Sequence, residues 1–287
     1  MNTKEFLQSA HPIDPTVREQ IMHALRTIEA THNVTVLFAC ESGSRGWGFA
    51  SPDSDYDVRF IYVNRQPWYL TVAPGRDVIE VPISGDLDIN GWDLRKALGL
   101  MRESNPTLLE WLGSPIVYRE DAETMAQFRA LAAQVFSNAK GWHHYASMAK
   151  KNFREHLQAD EVRYKKYLYV LRPLLAARWI RTQPGVPPMR FAELAQHTLH
   201  PTHDAALIAE INALLDVKMR AGEAATSPRW PGIHAFIEAE LARNAAEPVQ
   251  PLPVPGHAGL DALLHDTVLH YNAPHNSTPT GPVEASP

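Results

Sequence analysis

The apolar residues of the N-terminal third follow first a helical and then a strand spacing. Val17, Ile21, Leu25 and Ile28 recur every three to four residues, which predicts an amphipathic helix over residues 15–32. The next run, NVTVLFACESGS, is rich in β-branched and aromatic residues and predicts a buried strand that ends in a glycine turn. The segments SDYDVRFIYV and DLDIN alternate between polar and apolar residues and predict two more strands. This order of elements indicates a compact α/β or α+β domain.

The second part of the chain has helical spacing only. Strand signals disappear at about residue 121, and the segments QPGVPP and TSPRWPG separate the predicted helices. Prolines are frequent from residue 246 onward, on both sides of the segment GLDALLHDTVLHY, which is typical of a docking helix. We therefore predict an α+β domain over residues 1–118, an all-helical domain over 119–246, and a proline-rich linker with a disordered tail over 247–287.

The composition excludes some classes of protein. The chain has 287 residues and a net charge of −5, so any contact with nucleic acid depends on a local basic patch and not on a broadly basic surface. It has neither a long apolar run nor the basic-then-apolar start of a secretory signal, so we expect a cytoplasmic protein that does not enter a membrane. The single cysteine, Cys40, excludes an internal disulfide and disfavours a zinc site built from cysteines.

Acidic residues share a face on two of the predicted strands. Asp55 and Asp57 lie two residues apart and project from the same face of their strand, and Asp86 and Asp88 do the same in DLDIN. Acids in a row are poor core residues unless a cation lies between them, and Mg²⁺ binds such oxygen ligands together with substrate phosphate. A third carboxylate would allow two ions about 4 Å apart. We take Asp88 as that third acid, with Asp86 as the alternative.

The glycine-rich segment before these acids could bind a phosphate or form an ordinary turn. Gly43 and the two glycines that follow it allow backbone N–H groups to approach an anion closely, and the Ser44 hydroxyl could bond a phosphate oxygen. The spacing matches neither a dinucleotide-binding fingerprint nor a P-loop. Arg45 lies within the segment and is a candidate for binding the triphosphate. Arg59 shares the strand face of Asp55 and Asp57, where it could bind phosphate or pair with one of these acids.

The helical part contains further basic residues that could complete a triphosphate site. Lys165, Tyr169 and Arg172 follow an i, i+4, i+7 spacing and form one stripe on an otherwise apolar predicted helix. Lys150 lies on the preceding helix. A bound triphosphate would supply a partner for these cations, and the alternative for each lysine is a solvated helix face or an ion pair with a neighbouring glutamate.

These motifs resemble a known superfamily. The segment SGSRGWGFASPDSDYDVRFIYV resembles the glycine-serine turn followed by Asp-x-Asp of the DNA polymerase β-like nucleotidyltransferase superfamily, and DLDIN resembles its third-acid strand. The stretches NGWDLRKAL, NPTLLEWL, YASMAKKNFREHL and KKYLYVLRPLLAARWI are similar to a narrower branch, the predicted nucleotidyltransferases linked with RNA repair. The likeness extends over about residues 35–195.

The resemblance implies a mixed β-sheet with flanking helices and the transfer of a nucleoside monophosphate from an NTP, such as ATP, to an acceptor hydroxyl. In that case Gly43 and Ser44 would hold the triphosphate. Asp55 and Asp57 would bind two Mg²⁺ ions, or Mn²⁺ as a substitute, with Asp88 as the third ligand and the general base. The motifs of this branch do not define the acceptor.

Three functions remain open at this stage. The first is nucleotidyl transfer to the 3′ end of an RNA, such as a tRNA, in repair. The second is the same chemistry on a protein hydroxyl, as in antitoxin-like enzymes, or on a small molecule such as an aminoglycoside. The third is nucleotide binding without turnover. The presence of Asp55, Asp57 and a third acid favours an enzyme, because a binding module does not need all three. The sequence identifies no protein partner.

Overall fold

The computed structural model describes residues 6–9, 11–221 and 225–273. The first part contains α1 Pro15–His32, β1 Thr35–Glu41, α2 Gly43–Trp47, β2 Tyr56–Val63, α3 Gln66–Tyr69, β3 Val78–Glu80, β4 Leu87–Asp93, α4 Leu94–Arg102, α5 Pro106–Leu112, β5 Val117–Glu120 and α6 Ala122–Val135. The second part contains α7 Asn138–His156, β6 Glu161–Arg163, α8 Tyr164–Thr182, α9 Phe191–Thr198, α10 Ala205–Arg220, β7 Thr226–Pro228, α11 Pro231–Ala246 and α12 Ala258–Asn272.

The main sheet is mixed, in the order β3-β4-β2-β1-β5. Strands β2 and β4 are parallel, and the other neighbouring pairs are antiparallel. A parallel pair requires a crossover connection, which here passes through α3 and β3. The parallel pair lies inside the sheet and places the N-terminal ends of β2 and β4 side by side. The α+β class, the mixed sheet and its flanking helices are confirmed.

Helices cover both faces of the sheet. On one face, Ile21, Leu25 and Ile28 of α1 pack against a buried layer that includes Val58 and Phe60 of β2. This confirms the predicted amphipathic helix, whose apolar stripe has the spacing of one helix face. Helices α4, α5, α6 and α12 contribute to the core on the other face. Because side chains alternate along a strand, Asp57 and Arg59, which alternate with Val58 and Phe60, belong to this second face.

The second part of the chain is helical apart from one short ribbon. Helices α7 to α11 enclose a second core around α8, in which Tyr167, Leu171 and Leu174 are fully buried. Strands β6 and β7 pair antiparallel and join the start of α8 to the segment before α11. The prediction of helices alone missed this ribbon, because strands of three residues are too short to show an alternating pattern.

The chain returns to the first core after α11. Leu260, Leu263 and Val268 of α12 are buried there, and α12 packs against α3, α4 and α6. The predicted docking helix is therefore confirmed. The predicted boundary at residue 118 falls inside β5, and α6 beyond it contributes to the same first core. Of the predicted disordered segment NAPHNSTPTGPVEASP, the residues from 274 onward lie outside the described residues.

Within the part of the chain that the structure describes, every helix is too short or too polar to cross a bilayer.

Candidate active site

Asp57 and Asp88 lie opposite each other near the N-terminal ends of two inner strands of the sheet. They are register partners on the parallel strands β2 and β4, so their side chains project from the same face. Nη2 of Arg59 donates to Asp57 Oδ1 and to Asp88 Oδ2, at 2.8 Å in both cases. The two carboxylates therefore converge on one point. Of the two interpretations of Arg59, the structure shows the pairing with acids.

The glycine segment that precedes β2 is a short helix, α2, and not the predicted turn. Gly43 begins this helix with a φ of 54°, in the left-handed region that favours glycine. A Cβ atom on Gly43 would lie only 1.8 Å from Asp57 Oδ2, so a larger residue cannot take this place without moving the carboxylate. The backbone N–H of Ser42 donates to the carbonyl oxygen of Asp57 at 2.8 Å. The first turn of α2 is thus held directly against Asp57.

Burial and neighbouring acids both act on Asp57. Burial raises the pKa of the Asp57 carboxyl, the positive charge of Arg59 lowers it, and repulsion from Asp88 and Asp55 raises it again. Asp55 is exposed and directly precedes β2. Its charge therefore acts on Asp57, although Asp55 is not itself part of the paired strands. Asp86 is exposed, and its carbonyl oxygen accepts from the N–H of Tyr56. Asp88, and not Asp86, has the carboxylate that meets Asp57.

The geometry of the carboxylates limits how they could hold a metal ion. Among residues 6–9, 11–221 and 225–273, no group of three or more His, Cys, Asp or Glu side chains is close enough together to hold a metal. Asp57 and Asp88 nevertheless converge, and Mg²⁺ in nucleotide sites is bound by one or two carboxylates, with water and phosphate as the remaining ligands. This pair fits one Mg²⁺ ion. The participation of Asp55 and a second ion stay predictions.

Glu41, which the sequence analysis missed, lies directly behind Asp57. It is the last residue of β1 and is fully buried. Its Oε1 accepts from the backbone N–H of Asp57 at 2.8 Å, and its Oε2 accepts from the hydroxyl of Tyr118. Burial raises the pKa of Glu41 to about 7, although the bonds from Tyr118 and Asp57 lower it. A glutamate at the end of the otherwise apolar run TVLFACE was the available signal.

Glu41→Gln is expected to remove a pH dependence of stability. Because the pKa of Glu41 in the fold is about 7, above its ordinary value of 4.5, the folded protein binds more protons than the unfolded chain between these pH values. The contribution is therefore complete below pH 4.5 and is lost as the pH rises through 7, with a total of roughly 3 kcal/mol. Glutamine keeps an acceptor for Asp57 without ionising, so the variant should lose this slope.

The measurement is the free energy of unfolding by urea from pH 4.5 to pH 8, in steps, for the parent protein and the variant. Glu19→Gln, on the exposed surface of α1, is the matched control and should keep the parent's pH profile. Equal slopes for the parent and Glu41→Gln would show that Glu41 titrates as an ordinary carboxyl.

Two basic residues hold the segment between α2 and β2. Arg45 donates from Nη2 to the carbonyl oxygen of Ser54 at 2.8 Å and from Nε to that of Asp55 at 3.2 Å. Its guanidinium also lies 4.0 Å from the centroid of the Tyr56 ring. Lys218 of α10 reaches the same segment, where its buried Nζ donates to the hydroxyl of Ser54 at 3.2 Å. The second part of the chain thereby contacts the backbone that leads to the acids.

Arg172 is buried in a pair with Glu110. The distance from Arg172 Nη1 to Glu110 Oε1 is 2.7 Å, and each side chain is only 6% exposed. Glu110 also accepts from Trp47 Nε1 and from the Tyr145 hydroxyl, each at 3.3 Å. The contact of Arg172 with a triphosphate stays a prediction, and this guanidinium already has a protein partner.

Two residues of the stripe on α8, Tyr169 and Arg172, contact α2. The guanidinium of Arg172 lies 4.2 Å from the centroid of the Trp47 ring, and the ring of Tyr169 meets the same ring edge-on at 5.7 Å. Trp47 is the last residue of α2, so α8 packs against the helix that begins beside Asp57. Lys165 lies half-buried in the first turn of α8. Contacts of these residues with a nucleotide stay predictions.

Lys150 lies elsewhere, in a groove between α7 and α11. It is exposed on α7, and the groove is also lined by Leu241 of α11. The sequence could not show that Lys150 lies away from the acids. Lys150 is on the same helix as the buried face of α7 and differs from that face only in the direction of its side chain.

The protein is of the nucleotidyltransferase-like class. Its mixed sheet has converging acids beside α2, and the helical part that follows contacts α2. A family model agrees with this class over most of the chain: residues 17–266 match the family described as "RlaP: RNA repair pathway DNA polymerase beta family". The chain belongs to this family, and the resemblance inferred from the motifs is confirmed.

Two similar proteins give the wider context. The "Uncharacterized protein YcgL" of Bacillus subtilis (strain 168) is 44% identical over 254 residues, which cover 88% of this chain and 96% of that protein. Among solved structures, the crystal structure of a nucleotidyltransferase-like protein from Exiguobacterium sibiricum 255-15 covers 87% of this chain and 76% of its own, with 14% identity and a TM-score of 0.29.

Proposed function

We propose that the protein is a Mg²⁺-dependent nucleotidyltransferase that moves a nucleoside monophosphate from an NTP to the 3′ hydroxyl of an RNA. The observation that carries this proposal is the meeting of Asp57 and Asp88 at one point beside Gly43. The match to a DNA polymerase β family with an RNA repair description supports both the chemistry and the choice of acceptor.

In this reaction an oxygen of the acceptor hydroxyl forms a bond to the α-phosphorus. The bond between that phosphorus and the oxygen that bridges to the β-phosphate breaks, and pyrophosphate leaves with the electron pair. Asp57 and Asp88 would hold Mg²⁺, which when bound neutralises phosphate charge and lowers the pKa of an attacking hydroxyl. The carboxylate of Asp88 accepts the proton of that hydroxyl, because it is the more exposed of the two acids in the pair with Arg59.

The other groups of the site position the nucleotide. Gly43 and Ser44 would hold the triphosphate, as the resemblance implies, through closely approaching backbone N–H groups and the Ser44 hydroxyl. Arg59 lies between the two carboxylates and supplies a positive charge at the same point. Binding of a cation there requires the guanidinium to leave the carboxylates, and a phosphate of the NTP offers it a new bidentate partner.

The test is the transfer of label from each of the four α-labelled NTPs, with and without Mg²⁺, to pools of RNA, protein and small molecules. We expect Mg²⁺-dependent label on RNA. Label on a protein or small molecule would keep the chemistry and contradict the acceptor. Measurable NTP binding without any labelled product would contradict the proposal as a whole and favour nucleotide binding without turnover.

A further inference from the structure

A groove of about 480 Å³ lies between α7 and α11. On the α7 side its wall follows one helical stripe from Trp142 through Ala146 to Lys150 and Arg154. On the α11 side the wall includes Ala242 and Ala245, whose small side chains leave the space between the helices open. The stripe of α7 covers about 18 Å along the helix axis.

The charge of the groove suits an anion. Among the described residues, its lining contains Lys150, Arg154 and His143 but no carboxylate. Lys150 and Arg154 are exposed and form no ion pair within the described parts of the chain, whereas the next residue, Lys151, lies 3.9 Å from Glu155. The two cations are one helical turn apart on the same stripe, so they face the groove together.

The wall also contains aromatic rings and hydrogen-bond donors. Trp142 and Phe153 line the groove, and the guanidinium of Arg181 lies 5.1 Å from the centroid of the Trp142 ring and steadies it. Trp142 Nε1 and Asn244 Nδ2 are buried and have no acceptor among the described residues, although both side chains belong to the wall. Buried donors without an acceptor are unfavourable, so the wall favours a ligand that brings acceptor atoms.

We infer that this groove binds a single-stranded nucleic acid, which would be the acceptor strand of the proposed transfer reaction. Bases stack on the aromatic rings of such sites, while cations bind the phosphates. The length of the stripe argues for a strand and against a single nucleotide, since stacked nucleotides rise about 3.4 Å each. The inference rests on the proposed function for the identity of the strand, but binding itself does not require catalysis.

The experiment measures binding of a fluorescein-labelled RNA of about six nucleotides by fluorescence anisotropy. The full chain with Asp57→Asn is used, so that transfer does not occur and failure of the catalytic proposal does not affect the result. Lys150→Ala combined with Arg154→Ala is expected to weaken binding about tenfold and to reduce the slope of log K against log salt by about 1.4. The matched control, Lys151→Ala, should stay within about twofold.

A second variant places a negative charge in the groove without disturbing a core. Ala245 is exposed and lines the groove, so Ala245→Glu should fold normally and weaken RNA binding about tenfold. Unchanged binding in both variants would overturn the inference. Displacement of the labelled RNA by free AMP, at a concentration equal to that of the RNA's nucleotides, would also overturn the inference. It would show that the groove is a site for single nucleotides and not for a strand.

Discussion

Asp57→Asn and Asp88→Asn are each expected to lower nucleotidyl transfer about a thousandfold, with little change in stability. Both carboxylates meet at Arg59, where the amide of asparagine can still accept a hydrogen bond but cannot neutralise a cation. Metal ions contribute several kcal/mol to the stabilisation of a transition state, which corresponds to a loss of this size. The measurement is the initial rate of label transfer from an α-labelled NTP.

Asp86→Asn is the matched control for this prediction. Asp86 lies two residues before Asp88, is exposed, and has the same side chain. Its variant should keep the parent rate within about twofold. Full activity in Asp88→Asn together with loss in Asp86→Asn would show that the wrong acid has been assigned, and thermal unfolding of each variant separates lost chemistry from lost fold.

Glu110→Ala is expected to destabilise the fold by about 3–5 kcal/mol, as is usual when one partner of a buried ion pair is removed. The variant would leave the guanidinium of Arg172 buried without a carboxylate, since both side chains are only 6% exposed. It would also remove the acceptor for Trp47 and Tyr145. The measurement is the free energy of unfolding from urea titration.

The comparison is an exposed ion pair of the same chain. Asp216 and Arg220 lie 2.7 Å apart on α10 with side chains 40% and 79% exposed, so Asp216→Ala should cost no more than about 0.5 kcal/mol. A loss of similar size for Glu110→Ala would mean that the pair is far more hydrated than its burial indicates.

A double variant, Glu110→Gln with Arg172→Met, separates structure from nucleotide binding at Arg172. Removing both charges together should recover most of the lost stability, because no uncompensated charge is left. If Arg172 serves only to fix Trp47, the KM for NTP in this variant should match the parent. A raised KM with restored stability would instead support the direct triphosphate contact predicted from the stripe on α8.

Local patterns in the sequence were sufficient for the first part of the fold. The apolar spacing of α1 and the alternation in β2 depend only on neighbouring residues, and both are found as predicted. The alternation also placed Asp57 and Arg59 on one strand face. In the same way it placed Asp88 on the polar face of its own strand. That these two faces meet depends on the parallel pairing of β2 with β4, which no local pattern predicted, and the resemblance implied only a mixed sheet.

Long-range partners were beyond the sequence. Arg45 bonds backbone oxygens of a loop, and Arg172 pairs with a glutamate on α5, so neither is identified by its own neighbours in the chain. Glu41 was missed because burial gives this carboxyl its raised pKa, and burial depends on the whole sheet. The same holds for Lys150 in the groove. Helical spacing predicts which residues of α7 share its face, but it does not predict which other helix that face meets.

The most direct test of the central claim is binding of Mn²⁺, followed by the loss of its free electron paramagnetic resonance signal, in the presence of a non-hydrolysable NTP analogue. The parent protein and Asp86→Asn are expected to bind Mn²⁺ alike, and Asp57→Asn and Asp88→Asn to bind at least about tenfold more weakly. Equal affinity in all four proteins would contradict the account, because it would show that the carboxylates which meet at Arg59 do not hold the metal ion.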